Sequence, residues 1–81
     1  MDTSKMSYQI ITDLWKLLKK YIPLAPNADD KTFTELWEES NAIYDSTKDM
    51  PEYYREGVSM MIRGALGILD GMYKEEHDGS S

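Results

Sequence analysis

Few side chains in this sequence could take part in catalysis. His77 is the single histidine, there is no cysteine, and the serines have no histidine base within a predicted element. A serine or cysteine nucleophile needs such a base, so this pattern does not support nucleophilic catalysis. The residues of a general acid–base pair are missing as well. We therefore expect a protein without catalytic residues that is not an enzyme.

Residues that could bind a metal or a cofactor are equally scarce. Glu35, Glu38 and Glu39 lie close together in sequence, but they belong to the solvated face of a predicted helix. A carboxylate metal site between helices needs Glu-x-x-His motifs, and none occurs. The sequence also has no EF-hand loop and no glycine-rich phosphate loop between a strand and a helix. We expect no metal, no cofactor and no small-molecule substrate.

Acidic residues outnumber basic ones, and the formal net charge of the 81 residues is −6. This balance argues against direct binding to nucleic acid and against docking on an anionic membrane. The longest apolar-rich segment still contains Arg55, Glu56, Arg63 and Asp70, so it does not read as a membrane span. No basic region followed by an apolar run marks a secretory signal. We expect a soluble, cytoplasmic protein.

Apolar residues recur with the 3.6-residue period of helices in three segments, 4–21, 30–46 and 51–74. Pro23 ends the first segment, and Pro51 suits the first turn of the third. The pattern predicts an all-α fold, an antiparallel three-helix bundle in which the C-terminal helix, about 51–74, is central. Residues 1–74 would form this single domain, and residues 75–81 a disordered polar tail.

Four glycines lie in the third predicted helix: Gly57, Gly64, Gly67 and Gly71. Each costs roughly 1 kcal/mol relative to alanine, so a neighbouring backbone packed closely along them should offset the cost. Three interpretations stay open. The neighbour is another helix of the same chain, or it belongs to a protein partner or a second copy in a homodimer, or the third helix is bent or broken and has no such neighbour. For the second interpretation, the predicted contact residues besides the glycines are Tyr53, Met60, Tyr8 and Trp15.

An alternative function uses the acidic surface. An inhibitor or nucleic-acid mimic could bind a nucleic-acid-processing enzyme through clustered carboxylates. The predicted patch consists of Asp29, Asp30, Glu35, Glu38, Glu39 and Asp45.

The order of these features resembles small acidic all-helical proteins encoded by phages and prophages of Gram-positive bacteria. The resemblance is carried by Leu14-Trp15 through Lys19-Lys20-Tyr21, Asp29-Asp30, Leu36-Trp37-Glu38-Glu39-Ser40, Tyr44 and Tyr73-Lys74. It implies a cytoplasmic, non-enzymatic accessory protein and assigns no functional residues. Together, the residues and the resemblance favour a small helical protein-interaction module, self-associating or binding a partner through its third helix.

Overall fold

A computed structural model of the chain describes residues 2–78. Within that range the fold is all-helical and has no strand, so the predicted all-α class is confirmed. The three α-helices are α1 (Thr3–Tyr21), α2 (Asp30–Asp45) and α3 (Glu52–Asp78), and a short 3-10 turn spans Ala25–Asn27.

Side-chain caps fix the starts of the first two helices. The Asp2 carboxylate accepts hydrogen bonds from the backbone N–H groups of Ser4 and Lys5, at 3.0 and 3.3 Å. Asp29 does the same for Thr32 at the start of α2, at 2.8 Å. Each cap satisfies backbone donors that have no partner within the first helical turn, which is why the helices begin where they do.

The core is built from one apolar stripe of each helix. In α3 the stripe is Val58, Ile62, Ala65 and Leu69, and Leu69 is fully buried. The other buried apolar side chains of the cluster are Ile10, Leu14, Leu17, Tyr21, Ala25, Leu36 and Ile43. Each helix contacts the other two, and α3 also contacts the 3-10 turn.

Two side-chain contacts tie particular parts of the helices together. The hydroxyls of Ser7 and Tyr54 hydrogen bond at 2.9 Å, which joins the first turns of α1 and α3. The rings of Phe33 and Tyr73 meet edge to face with centroids 5.2 Å apart, which joins the start of α2 to the far part of α3. These contacts fix how far each helix is shifted along its neighbours.

The end of α3 differs from the sequence-based expectation. Residues 75–78, expected to be part of a disordered tail, continue the helix to Asp78. Glutamate is a good helix former, and residues 72–78 contain no glycine or proline that would interrupt the helix. The rings of Tyr73 and His77, one turn apart, also lie with centroids 4.1 Å from each other. Residues 79–81 of the expected tail lie outside the described part of the chain.

Candidate interaction site on the third helix

The four glycines of α3 are exposed, and their surroundings are open. A Cβ atom added to Gly57, Gly64, Gly67 or Gly71 would meet no atom within 4 Å beyond its own helix. The expectation that another helix of the same chain packs closely along them is therefore wrong. The reason is geometric: α1 and α2 both pack against the stripe from Val58 to Leu69, which lies on the other side of α3.

Backbone conformation does not explain these glycines either. None of them has a positive φ, so another residue could adopt the same helical geometry. Neither internal packing nor an unusual backbone angle requires glycine here. What remains is the flat, side-chain-free surface that the glycines present to the outside.

Large apolar side chains surround this surface. Tyr53 is 73% exposed and Met60 is 70% exposed, as the interface hypothesis needs, and Met61 and Ile68 are exposed beside them. At 100° per residue, every position within about 60° of Gly64 between residues 53 and 71 is either glycine or apolar. We call this set the charge-free face: Tyr53, Gly57, Met60, Met61, Gly64, Gly67, Ile68 and Gly71.

The charge-free face is long and bordered by charge on one side only. It covers five turns of α3, about 27 Å at 1.5 Å per residue. Along one edge run Glu56, Arg63, Asp70 and Lys74, and the last two form an ion pair at 3.0 Å. In a chain whose residues are 30% charged, a solvent-facing helical arc of this length without any charge is unusual.

The other edge continues onto α1. A groove of about 320 Å³ between the two helices is lined by Ile11 from α1 and by Tyr53, Gly57 and Met61 from α3. Exposed apolar side chains of α1 extend the surface further: Ile11, Tyr8 and Trp15 lie within about 60° of one another around α1. Tyr8 and Trp15, both predicted contact residues, therefore lie on the same side of α1 as Ile11.

Ile11, Met61 and Ile68 are the members of this surface that the sequence analysis did not select. Their apolar character is equally typical of core positions, because a single sequence does not reveal which side of α3 its neighbours cover. The available signal was their angular position. Met61 and Ile68 lie three and four residues from Gly64 and therefore flank it around the helix.

Two carboxylates of the predicted acidic patch, Asp29 and Glu39, have partners within the chain. Asp29 caps α2 through Thr32, and Glu39 pairs with Lys20 of α1 at 2.8 Å. Hydrogen bonding to Lys20 lowers the pKa of Glu39, and hydrogen bonding to the Thr32 backbone lowers the pKa of Asp29. Both groups already have structural partners. The remaining members, Asp30, Glu35, Glu38 and Asp45, are exposed on α2.

The described residues show no arrangement typical of a metal centre. Within residues 2–78, no three histidine, aspartate or glutamate side chains come together in a way that could hold a metal ion. The same part of the chain contains no helix with the length and apolarity needed to cross a bilayer.

Comparison of the chain with protein-family models, with curated proteins and with solved structures finds no match.

Proposed function

We propose that this protein is a non-enzymatic helical interaction module that binds a protein through the charge-free face of α3. The observation that carries the proposal is the combination of four exposed glycines with four exposed apolar side chains on one uncharged helical arc. Single exposed apolar residues are common on protein surfaces, but contiguous ones mark interaction sites. The glycines would let a partner backbone approach the helix axis closely.

The proposed scaffold is an antiparallel three-helix bundle with α3 as its central helix. Its support is that α3 contacts both other helices and the 3-10 turn. The Ser7–Tyr54 and Phe33–Tyr73 contacts fit α1 and α3 running in one direction and α2 in the other. In this arrangement the outer side of α3 is the one left for a partner.

The amount of exposed surface also supports a binding role. The chain has an accessible surface of 5766 Å². A typical monomer of its mass, 9.4 kDa, exposes about 5000 Å² by the usual scaling with mass. The difference, roughly 800 Å², is similar to what one partner buries in a standard interface.

The biological setting follows the resemblance given above. We place the module in the cytoplasm, as an accessory protein of the kind that phages and prophages encode. In this role it binds a protein, with no direct contact to nucleic acid, membrane or small-molecule substrate.

Site-specific photo-crosslinking in the native host tests the function. A photoreactive phenylalanine analogue replaces Met60 on the charge-free face, and the same analogue replaces Ala42, an exposed residue of α2, as the matched control. We expect a discrete protein adduct, to self or to another chain, from position 60 only. Equal adducts from both positions, or none from position 60, would contradict the proposal.

A further inference from the structure

Seven residues of the charge-free face are arranged symmetrically about Gly64. Gly57 and Gly71 lie seven residues on either side of it, and Met60 and Ile68 lie four residues on either side. Met61 and Gly67 form a third pair at three residues. All of these positions are exposed. At equal distances from Gly64, a large residue is therefore matched by another large residue or by glycine, and the two outer glycines are matched by each other.

Such symmetry matters when two identical helices pack antiparallel. Residues equally far from the crossing point, on opposite sides of it, then lie at the same level. With the crossing at Gly64, Gly57 of each copy lies level with Gly71 of the other, so glycine meets glycine at three successive levels. Met60 lies beside Gly67 of the other copy, one residue rise from the same level, and the missing side chain leaves room for it. A parallel pair would instead set Met60 beside Met61 of the other copy, one large side chain against another.

From this symmetry we propose that the occupant of the charge-free face is a second copy of the chain. The two α3 helices cross antiparallel on a two-fold axis that passes beside Gly64. The inference rests on the proposed function and adds the identity and the register of the partner. The interface is of the closed, self-complementary kind, in which each copy uses the same surface.

The available area meets what a stable dimer needs. The exposed parts of Tyr53, Met60, Met61 and Ile68, together with Tyr8, Ile11 and Trp15 of α1, amount to roughly 900 Å² per chain if aromatic side chains span about 150–250 Å². A standard interface buries about 800 Å² per partner. Closely crossing glycine backbones add dispersion contacts to this area.

Charge favours the antiparallel register over the parallel one. Glu75 continues the side of α3 that carries Gly64 and is exposed. In a parallel pair it would face its own copy, and two carboxylates would repel each other. In the antiparallel register it lies level with Tyr53 of the second copy, whose hydroxyl can donate a hydrogen bond to it. The dipoles of the two helices also oppose each other only in the antiparallel arrangement.

Sedimentation equilibrium of the full chain and two single variants tests the dimer. Gly64→Glu places two carboxylates at the crossing point, whereas Ala42→Glu adds the same charge on exposed α2. Glutamate is a better helix former than glycine, so the first variant should keep its circular dichroism. We expect twice the 9.4 kDa chain mass for the parent and for Ala42→Glu. For Gly64→Glu we expect a dissociation constant raised at least ~100-fold. A monomeric parent at millimolar concentration would overturn the inference.

Disulfide trapping tests the register, because the chain has no cysteine of its own. Oxidised Gly64→Cys should cross-link to itself, since close helices bring the two positions within the ~4.4–6.8 Å between Cα atoms that a disulfide spans. Gly57→Cys and Gly71→Cys should each stay uncross-linked alone and cross-link when mixed. Self-cross-linking of Gly57→Cys as efficient as that of the mixture would exclude this register.

The two proposals fail in different ways. If the parent is a monomer while position 60 still gives an adduct to a different protein, the proposed dimer is wrong and the proposed protein-binding function is supported. If position 60 gives no adduct and the parent is a monomer, both are wrong.

Discussion

Tyr21 is the residue whose titration is tied most closely to folding. Its side chain is 1% exposed at the end of α1, and its hydroxyl has no hydrogen-bond partner within the described residues. Burial, together with the nearby Glu39 carboxylate, raises the pKa of Tyr21 to about 12. The folded chain therefore holds the neutral phenol at a pH where the unfolded chain has begun to lose its proton.

This shift predicts alkaline destabilisation with a defined sign. The pKa of Tyr21 is about 10 in the unfolded chain and about 12 in the fold. The stabilisation that the neutral phenol gives the fold is therefore complete below pH 10. It is lost as the pH rises from 10 to 12, because the unfolded chain then releases a proton that the folded chain keeps. We expect the free energy of unfolding to fall by at most about 1.4 kcal/mol per pH unit in this range.

Urea unfolding at pH 9 and pH 11 measures the effect, and Tyr21→Phe is the control. Phenylalanine keeps the ring and removes the unpartnered hydroxyl, so this variant should fold normally at pH 9. The decrease in the free energy of unfolding between pH 9 and pH 11 should also be smaller in this variant than in the parent. An identical slope in the parent and in Tyr21→Phe would contradict the assignment to Tyr21.

At the scale of elements, the glycines of α3 lower the stability of the helix, and no contact within the chain offsets this loss. Its four glycines weaken an exposed helical face and have no internal neighbour. Replacing any one of them with alanine should therefore stabilise the monomer by about 0.5–1 kcal/mol, because alanine restricts the unfolded chain and meets open space in the fold.

Denaturant unfolding at concentrations low enough to keep the chain monomeric checks this prediction for Gly57→Ala and Gly64→Ala. The reverse change on exposed α2, Ala42→Gly, should lower the stability by a similar amount and calibrates the scale. If Gly64→Ala destabilises the monomer, a neighbour must lie on the charge-free face within the same chain, contrary to the geometry found here.

The number and type of the elements could be predicted from sequence because their signals are local. Apolar residues repeat with the helical period, and Pro23 and Pro51 interrupt the chain. The three predicted helices are present in the structure. The continuation of α3 over residues 75–78 does not follow from composition, because polar residues near a chain end are typical of disorder while glutamate favours helix.

The candidate site was only half predictable because burial depends on where neighbours lie. The sequence predicts Tyr53 and Met60 as contact residues beside the glycines, whereas the apolar character of Met61 and Ile68 is equally typical of the core. Only the packing of α1 and α2 reveals that these two side chains stay exposed. In the same way, Leu24 of the first loop is exposed and the smaller Ala25 enters the core, which loop composition does not indicate.

At the scale of the whole molecule, net charge distinguishes the proposed dimer from the acidic inhibitor. Two copies bring together two chains of formal charge −6, so added salt should strengthen dimerisation by screening their repulsion. Binding of a basic enzyme to Asp30, Glu35, Glu38 and Asp45 should instead weaken steeply with salt. Sedimentation at about 0.05 M and 0.5 M salt shows whether added salt strengthens or weakens self-association. Weaker self-association at the higher salt would argue against an apolar interface.

The two tryptophans lie in different places relative to the charge-free face, and each is more than half exposed. Trp15 belongs to the α1 surface beside Ile11, whereas Trp37 lies on α2 next to Leu66, on another side of the molecule. The chain thus carries a built-in optical reporter. A partner bound to this surface would exclude water from the indole of Trp15 and shift its fluorescence to shorter wavelength. The emission of Trp37 would stay that of a solvent-exposed indole.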